Sequence, residues 1–188
     1  MTLRLILYAA AYIMLVLVMF LLPYYSASGY SVVKHTTSQL GAQHTPNAWI
    51  MNLTFILMGF SSILAGWDYF QGYWFHRICL LVFGISLILV AYFHHAPIDA
   101  LTPFNKHQDD LHSLFATTTG ISFILLAICT AFLQTGRMHM ILALSIAILA
   151  CLFSILIFRF PQLAGIWQRS LFVLSFGWLL YEWSRKDL

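Results

Sequence analysis

Long apolar runs separated by short polar patches make up most of this chain. Six runs approach the ~20 residues a helix needs to cross the hydrocarbon of a bilayer. They cover about Leu3 to Leu22, closed by Pro23; about Ala48 to Gly66; and about Arg77 to His95, closed by Pro97. The others cover about Leu111 to Leu133, Met138 to Phe158 and Leu163 to Trp183. No stretch alternates with period two, which argues against a barrel of strands. The pattern predicts an all-α fold: a polytopic integral membrane protein, built as a six-transmembrane-helix bundle in one domain over residues 1–188. The first run exceeds the ~7–15 apolar residues of a signal peptide core and reads as a spanning helix.

Composition supports a bilayer as the solvent. Of the 188 residues, 61% are hydrophobic and only 8% are charged, against about 25% charged in ordinary soluble domains. The net charge of +3 is small and scattered, so nucleic acid is not an expected partner. The three cysteines, Cys79, Cys129 and Cys151, lie inside apolar runs without CxxC spacing and read as packing residues. Aromatic residues near the run ends, among them Tyr24, Tyr25, Trp67, Trp74, Trp178 and Trp183, read as an interfacial belt.

Six spans place the two long connections, Pro23 to Asn47 and Ala96 to Asp110, on one side with the turn between the fifth and sixth runs. Arg4, Arg77, Arg137, Arg185 and Lys186 fall on the other side, against Lys34, Lys106, Arg159 and Arg169 on the loop-rich side. This bias favours cytoplasmic termini. The histidines are far less even. His35, His44, His94, His95, His107 and His112 share the loop-rich side with Asp99, Asp109 and Asp110, while only His76 and His139 lie opposite.

That clustering suggests chemistry. Asp109 and His112 open the fourth run at i, i+3, on one helix face, a spacing that suits two ligands of one metal or a carboxylate that orients an imidazole. Asp109 or Asp110 as a helix N-cap is the structural alternative. His94 and His95 close the third run, and adjacent helical residues diverge, so one of the pair would face the bundle. With Asp109 and His112 it would complete three ligands for zinc or another divalent metal, with one position left open for water. Interfacial histidines at headgroup level are the alternative. In the first loop, Ser38, His44 and Asn47 precede the second run, and Ser38 or Asn47 could polarise a substrate carbonyl or phosphate. Asn52, inside that run, reads as an interhelical hydrogen-bonding residue. Arg169, inside the sixth, either snorkels to the interface or faces a polar interior.

The segments SQLGAQHTPNAWIMNLTFILMGF (Ser38 to Phe60) and DDLHSLFATTTGISFILLAI (Asp109 to Ile128), with His94 and His95 between them, carry a likeness. The chain resembles the prokaryotic six-helix membrane family termed domain of unknown function 998. That resemblance marks Ser38, Gly41, Asn47, Asn52, Asp109 and His112. More distantly, the chain is similar to the eukaryotic six-helix family of GPI-anchor lipid-remodelling factors and autophagy modulators, which implies a fold and a link to lipids. It also resembles, in residue types alone, the transmembrane hydrolases that include alkaline ceramidases. Their last-helix HxxxH is absent, since the sixth run here contains no histidine.

Together these features suggest a small membrane hydrolase acting on a lipid or lipid-linked substrate at the outer bilayer edge. His112 and His94 or His95 would bind the metal with Asp109, and Ser38, Asn47 and Asp109 would serve the reaction. A non-catalytic protein that binds a lipid headgroup or a partner is the second reading. Haem ligation by His44, His95 or His112 is the third.

Overall fold

The computed structural model describes residues 2–185. Lys186, counted above in the charge bias, lies outside the described residues. The described chain is an all-α integral membrane protein with six helices long and apolar enough to span a bilayer. They are α1 (Leu3–Leu21), α2 (Ala48–Tyr69), α3 (Trp74–Tyr92), α4 (Lys106–Ala131), α5 (Arg137–Arg159) and α6 (Ala164–Ser184).

Local chemistry sets the helix ends. Thr2 caps α1, its side chain accepting from the Leu5 N–H at 3.3 Å. Pro23 turns the far end of α1 into a short 3₁₀ segment, Leu22–Tyr25. Gly72, at φ +86°, makes the tight turn between α2 and α3, a conformation that costs glycine little. Three expected boundaries move. The third helix ends at Tyr92, with Phe93 already extended, so His94 and His95 lie in the following loop. The fourth begins at Lys106, five residues early, because Asn105 is its N-cap and accepts from the Gln108 N–H at 3.2 Å. Neither Asp109 nor Asp110 caps it. The third also starts early, at Trp74.

Each helix packs on its sequence neighbours, and α6 packs back on α1 and α2, closing a ring. In lipid, packing and hydrogen bonds hold helices together, because apolar side chains gain little by leaving lipid for protein. The α2–α3 contact shows the packing. A Cβ on Gly59 would strike the Gly84 carbonyl, and a Cβ on Gly84 would strike Ile63 and the Gly59 carbonyl. The two backbones therefore touch directly. Between α1 and α6, Tyr8 and Tyr12 donate their hydroxyls to the Phe176 and Val173 carbonyls, each at 3.0 Å. Hydroxyls within the spans, such as Thr54, Ser62 and Thr130, return to the carbonyl four residues earlier and need no external partner.

Trp178 and Trp183 depart from the expected belt. Both are buried, with Trp183 edge-on to Tyr8 and Trp178 edge-on to Phe123. Tyr24, Tyr25 and Trp74 are exposed.

Candidate functional site

The long loops meet at the end of the bundle that carries most histidines, and Gln43 joins them. Its backbone N–H donates to the His95 carbonyl at 2.9 Å. Its side-chain amide donates to the His94 and Asn105 carbonyls, both at 3.1 Å, and accepts from the Asn105 N–H at 2.8 Å. Gly41 and Asn52 make the next link: the buried Asn52 amide donates to the Gly41 carbonyl at 3.1 Å. A Cβ at Gly41 would collide with the Asn52 carboxamide, so only glycine fits there. Asn52 thus faces the bundle, tying α2 to the first loop instead of to another helix.

Asp109 and His112 share a face, as their spacing requires, and both grip the chain leaving α3. Asp109 Oδ1 accepts from the Ala96 N–H at 2.7 Å and lies 3.4 Å from His95 Nδ1. His112 Nδ1 lies 2.8 Å from the Phe93 carbonyl and 3.0 Å from that of Val90. A carbonyl only accepts, so Nδ1 carries the proton and, in the neutral ring, Nε2 is left as a bare acceptor. The same reasoning gives His95 Nδ1 the proton, since it lies 2.9 Å from the Ala96 carbonyl. The two imidazole centroids are 5.1 Å apart, nearly edge to face. His112 is only 3% exposed, and its Nε2 is buried with no partner.

His112 and His95 also line a cavity of about 420 Å³ within the ring. Ser38, Thr36 and Gln168 share its polar end. Phe55, Leu87, Phe123, Phe172 and Phe176 form apolar walls. Gln168 is held by loop residues: its Oε1 accepts from the Thr37 N–H at 2.7 Å and the Thr37 hydroxyl at 2.5 Å. Ser175, another lining residue, has a buried hydroxyl with no partner. Sequence reading missed Gln43, Gln168 and Ser175. For Gln168 and Ser175 the one available signal was an amide or hydroxyl within an apolar run; Gln43, in the first loop, carried none.

The remaining expected site residues lie elsewhere. Asn47 is exposed, in a left-handed conformation at φ 58°, and donates to the Tyr25 carbonyl at 2.8 Å; it does not line the cavity. His44 is exposed. The His94 imidazole is half-buried outside the lining, and burial lowers its pKa. Asp99 closes its own turn. Its carboxylate accepts from the Leu101 N–H and the Thr102 hydroxyl, which lower its pKa. Among the described residues, no group of three or more His, Cys, Asp or Glu side chains is arranged to hold a metal ion. Asp109, expected as a ligand, is engaged with Ala96 and His95. Ser38 Oγ hydrogen-bonds no imidazole among the described residues.

Arg169 resolves toward the interior. It is 4% exposed and donates to the carbonyls of Met19, Val32, His35 and Gly165 and to the Tyr30 hydroxyl, at 2.8–3.2 Å. No carboxylate pairs with it among the described residues. At the opposite end of the bundle, the buried Glu182 accepts from Tyr69 at 2.5 Å and Gln134 at 2.7 Å, with Arg185 at 3.3 Å. The sequence carried no sign of this second polar knot.

Residues 8–181 match the family described as "Protein of unknown function (DUF998)". The match spans nearly the whole chain, and the chain belongs to that family. No curated protein and no solved structure matches the chain.

Proposed function

We propose that this DUF998 family member is a membrane protein that binds an amphiphile, a lipid or lipid-linked molecule, in the cavity between its helices, which opens outward past the exposed Ile121 and Phe158. The observation that supports this is the cavity's polarity gradient. One end presents Thr36, Ser38, His95, His112 and Gln168; the rest is mainly aromatic and aliphatic, with the hydroxyls of Thr117, Thr119 and Ser154 turned back to their own helix carbonyls and that of Ser175 unpartnered. About 420 Å³ falls within the ~300–1,000 Å³ usual for small-molecule sites. The headgroup sits beside His112 at the loop-rich end, and the chain lies among Phe55, Phe123 and Phe172. With the termini in the cytoplasm, as the charge bias favours, the headgroup lies at the outer leaflet.

Gly120 provides the test. It lines the cavity, and a Cβ built there meets nothing within 4 Å. Gly120→Trp therefore fills the cavity from α4 with little cost to the backbone. Native mass spectrometry of purified protein should find a retained amphiphile on wild type and little on Gly120→Trp. Equal retention by both proteins would overturn the reading.

A further inference from the structure

The polar end of the cavity has a specific hydrogen-bonding inventory. Three side chains matter: His112, Gln168 and Ser175. The His112 Nδ1 proton is committed to the Phe93 and Val90 carbonyls, which leaves Nε2 as an acceptor without a donor. Gln168 is the reverse. Its carbonyl oxygen takes the Thr37 N–H and hydroxyl, so its NH₂ is the group left for a ligand. Ser175 adds a hydroxyl that can donate or accept and has no partner. A buried polar atom without a partner is costly, so an occupant that satisfies His112 Nε2 and the Ser175 hydroxyl gains affinity from doing so.

Charge is missing from the lining. No Lys, Arg, Asp or Glu contributes to it. Arg169 adjoins Gln168 in sequence, but its guanidinium donates to four carbonyls and to the Tyr30 hydroxyl. Asp109 is engaged with Ala96 and His95, and the Lys106 ammonium pairs with Asp110 at 2.6 Å on the surface. A buried phosphate would lack a counter-cation, and a buried ammonium would lack a carboxylate; both are costly without a partner.

Building on the amphiphile reading above, we propose that the cavity selects a neutral head bearing a hydroxyl, and discriminates against phosphate and quaternary ammonium heads. A hydroxyl can donate to His112 Nε2, and a hydroxyl can accept from the Gln168 amide, so a hydroxyl-bearing head suits both kinds of free group. Ser175, about two helical turns beyond Gln168 along α6, can satisfy a second hydroxyl.

Photo-crosslinking in phosphatidylcholine nanodiscs tests this with three diazirine probes of equal chain length: a long-chain alcohol, its alkyl phosphate and its alkyl trimethylammonium. The alcohol should label cavity-lining peptides of α4 and α6 at least about tenfold more than either charged probe, because a charged head would lie in the cavity without a counter-charge. His112→Leu should erase most of that preference. Because His112 also caps α3, Ser175→Ala serves as a second variant that leaves the cap intact and should reduce the preference. Equal labelling by all three heads on wild type, lost in Gly120→Trp, would overturn the headgroup proposal and leave the amphiphile reading standing. Labelling that no head directs to the cavity, unchanged in Gly120→Trp, would overturn both.

Discussion

His112 Nδ1 sits 2.8 Å from the carbonyl oxygen of Phe93, so a side chain of α4 closes the C-terminal end of α3. The last carbonyls of a helix have no partner within it, and this imidazole supplies one for Val90 as well. His112→Ala should therefore lower stability by about 1–3 kcal/mol, the cost of leaving buried acceptors unpaired. His139→Ala, at the other end, should stay within about 0.5 kcal/mol. Thermal unfolding of the detergent-purified proteins measures both. Equal losses would remove the capping role.

Three glycines should respond in opposite directions. Gly120 faces open space, and Gly120→Ala should stabilise the protein by about 0.5–1 kcal/mol through helix propensity alone. Gly59→Ala and Gly84→Ala drive a Cβ into a backbone carbonyl or Ile63 across the α2–α3 contact and should each cost about 1–3 kcal/mol. Unfolding midpoints of the three variants decide the matter, and a destabilised Gly120→Ala would contradict the open cavity beside it.

Arg169→Met should be the most damaging substitution of those named here. It removes the guanidinium's bonds to the carbonyls of Met19, Val32 and His35, a loss of about 3 kcal/mol or more. Arg169→Lys should rescue only part of it, because an ammonium cannot reproduce the planar fork. Tyr30→Phe, which removes one acceptor of the guanidinium and the hydroxyl's own donation to the Thr36 and His35 carbonyls, should cost about 1–2 kcal/mol, less than Arg169→Met. Limited proteolysis of the first loop should follow the same order, and full rescue by lysine would refute the argument.

Acid should weaken the first loop through His35. Burial first, then Lys34 and Arg169, lower its pKa below the ordinary value. Its Nδ1 accepts from the Ser31 N–H at 2.9 Å, a bond that a protonated ring cannot make. The unfolded chain thus binds the proton more readily than the folded one. The contribution is complete above the unfolded pKa of about 6.5 and is lost as pH falls through it toward the folded value. Melting temperature should drop between about pH 8 and about pH 5, and His35→Gln should make that drop shallower. An unchanged slope would place the titration elsewhere.

Orientation can be read with reporters. A fusion at the C-terminus should report cytoplasm, and an insertion beside Pro103 should report the exterior, as the arginine and lysine bias favours. The reverse pattern would move the cavity's polar end to the inner leaflet.

The spans were legible because a helix that crosses lipid must bury its own backbone and carry an apolar exterior over ~20 residues. The polar end was legible only as a gathering of residue types. His94 and His95 read as helical because nothing local marks the end of α3. Its end is set by Asp109 and His112, from the next helix. Gln43 and Gln168 drew no attention because an isolated amide has no motif; each acquires its role from partners more than fifty residues away. Trp178 and Trp183 were assigned to the interface by position along the run. Which side of α6 they occupy depends on Phe123 and Tyr8, and periodicity cannot specify that.

The environment of Arg169 also bears on how the protein is made. An arginine at the centre of a span costs roughly 2.5–3.5 kcal/mol on insertion scales, and less toward its ends; Arg169 lies in the second turn of α6, the span with the lowest mean hydropathy of the six. It is also the last to leave the ribosome. Four of the five groups that receive its guanidinium, those of Met19, Tyr30, Val32 and His35, belong to the first helix and first loop, made long before. The earliest part of the chain thus provides a prepared berth for the latest. For α6, docking against α1 and the first loop supplies the acceptors that an arginine inside a span needs, and a chain without the first loop would leave this guanidinium without three of its five acceptors.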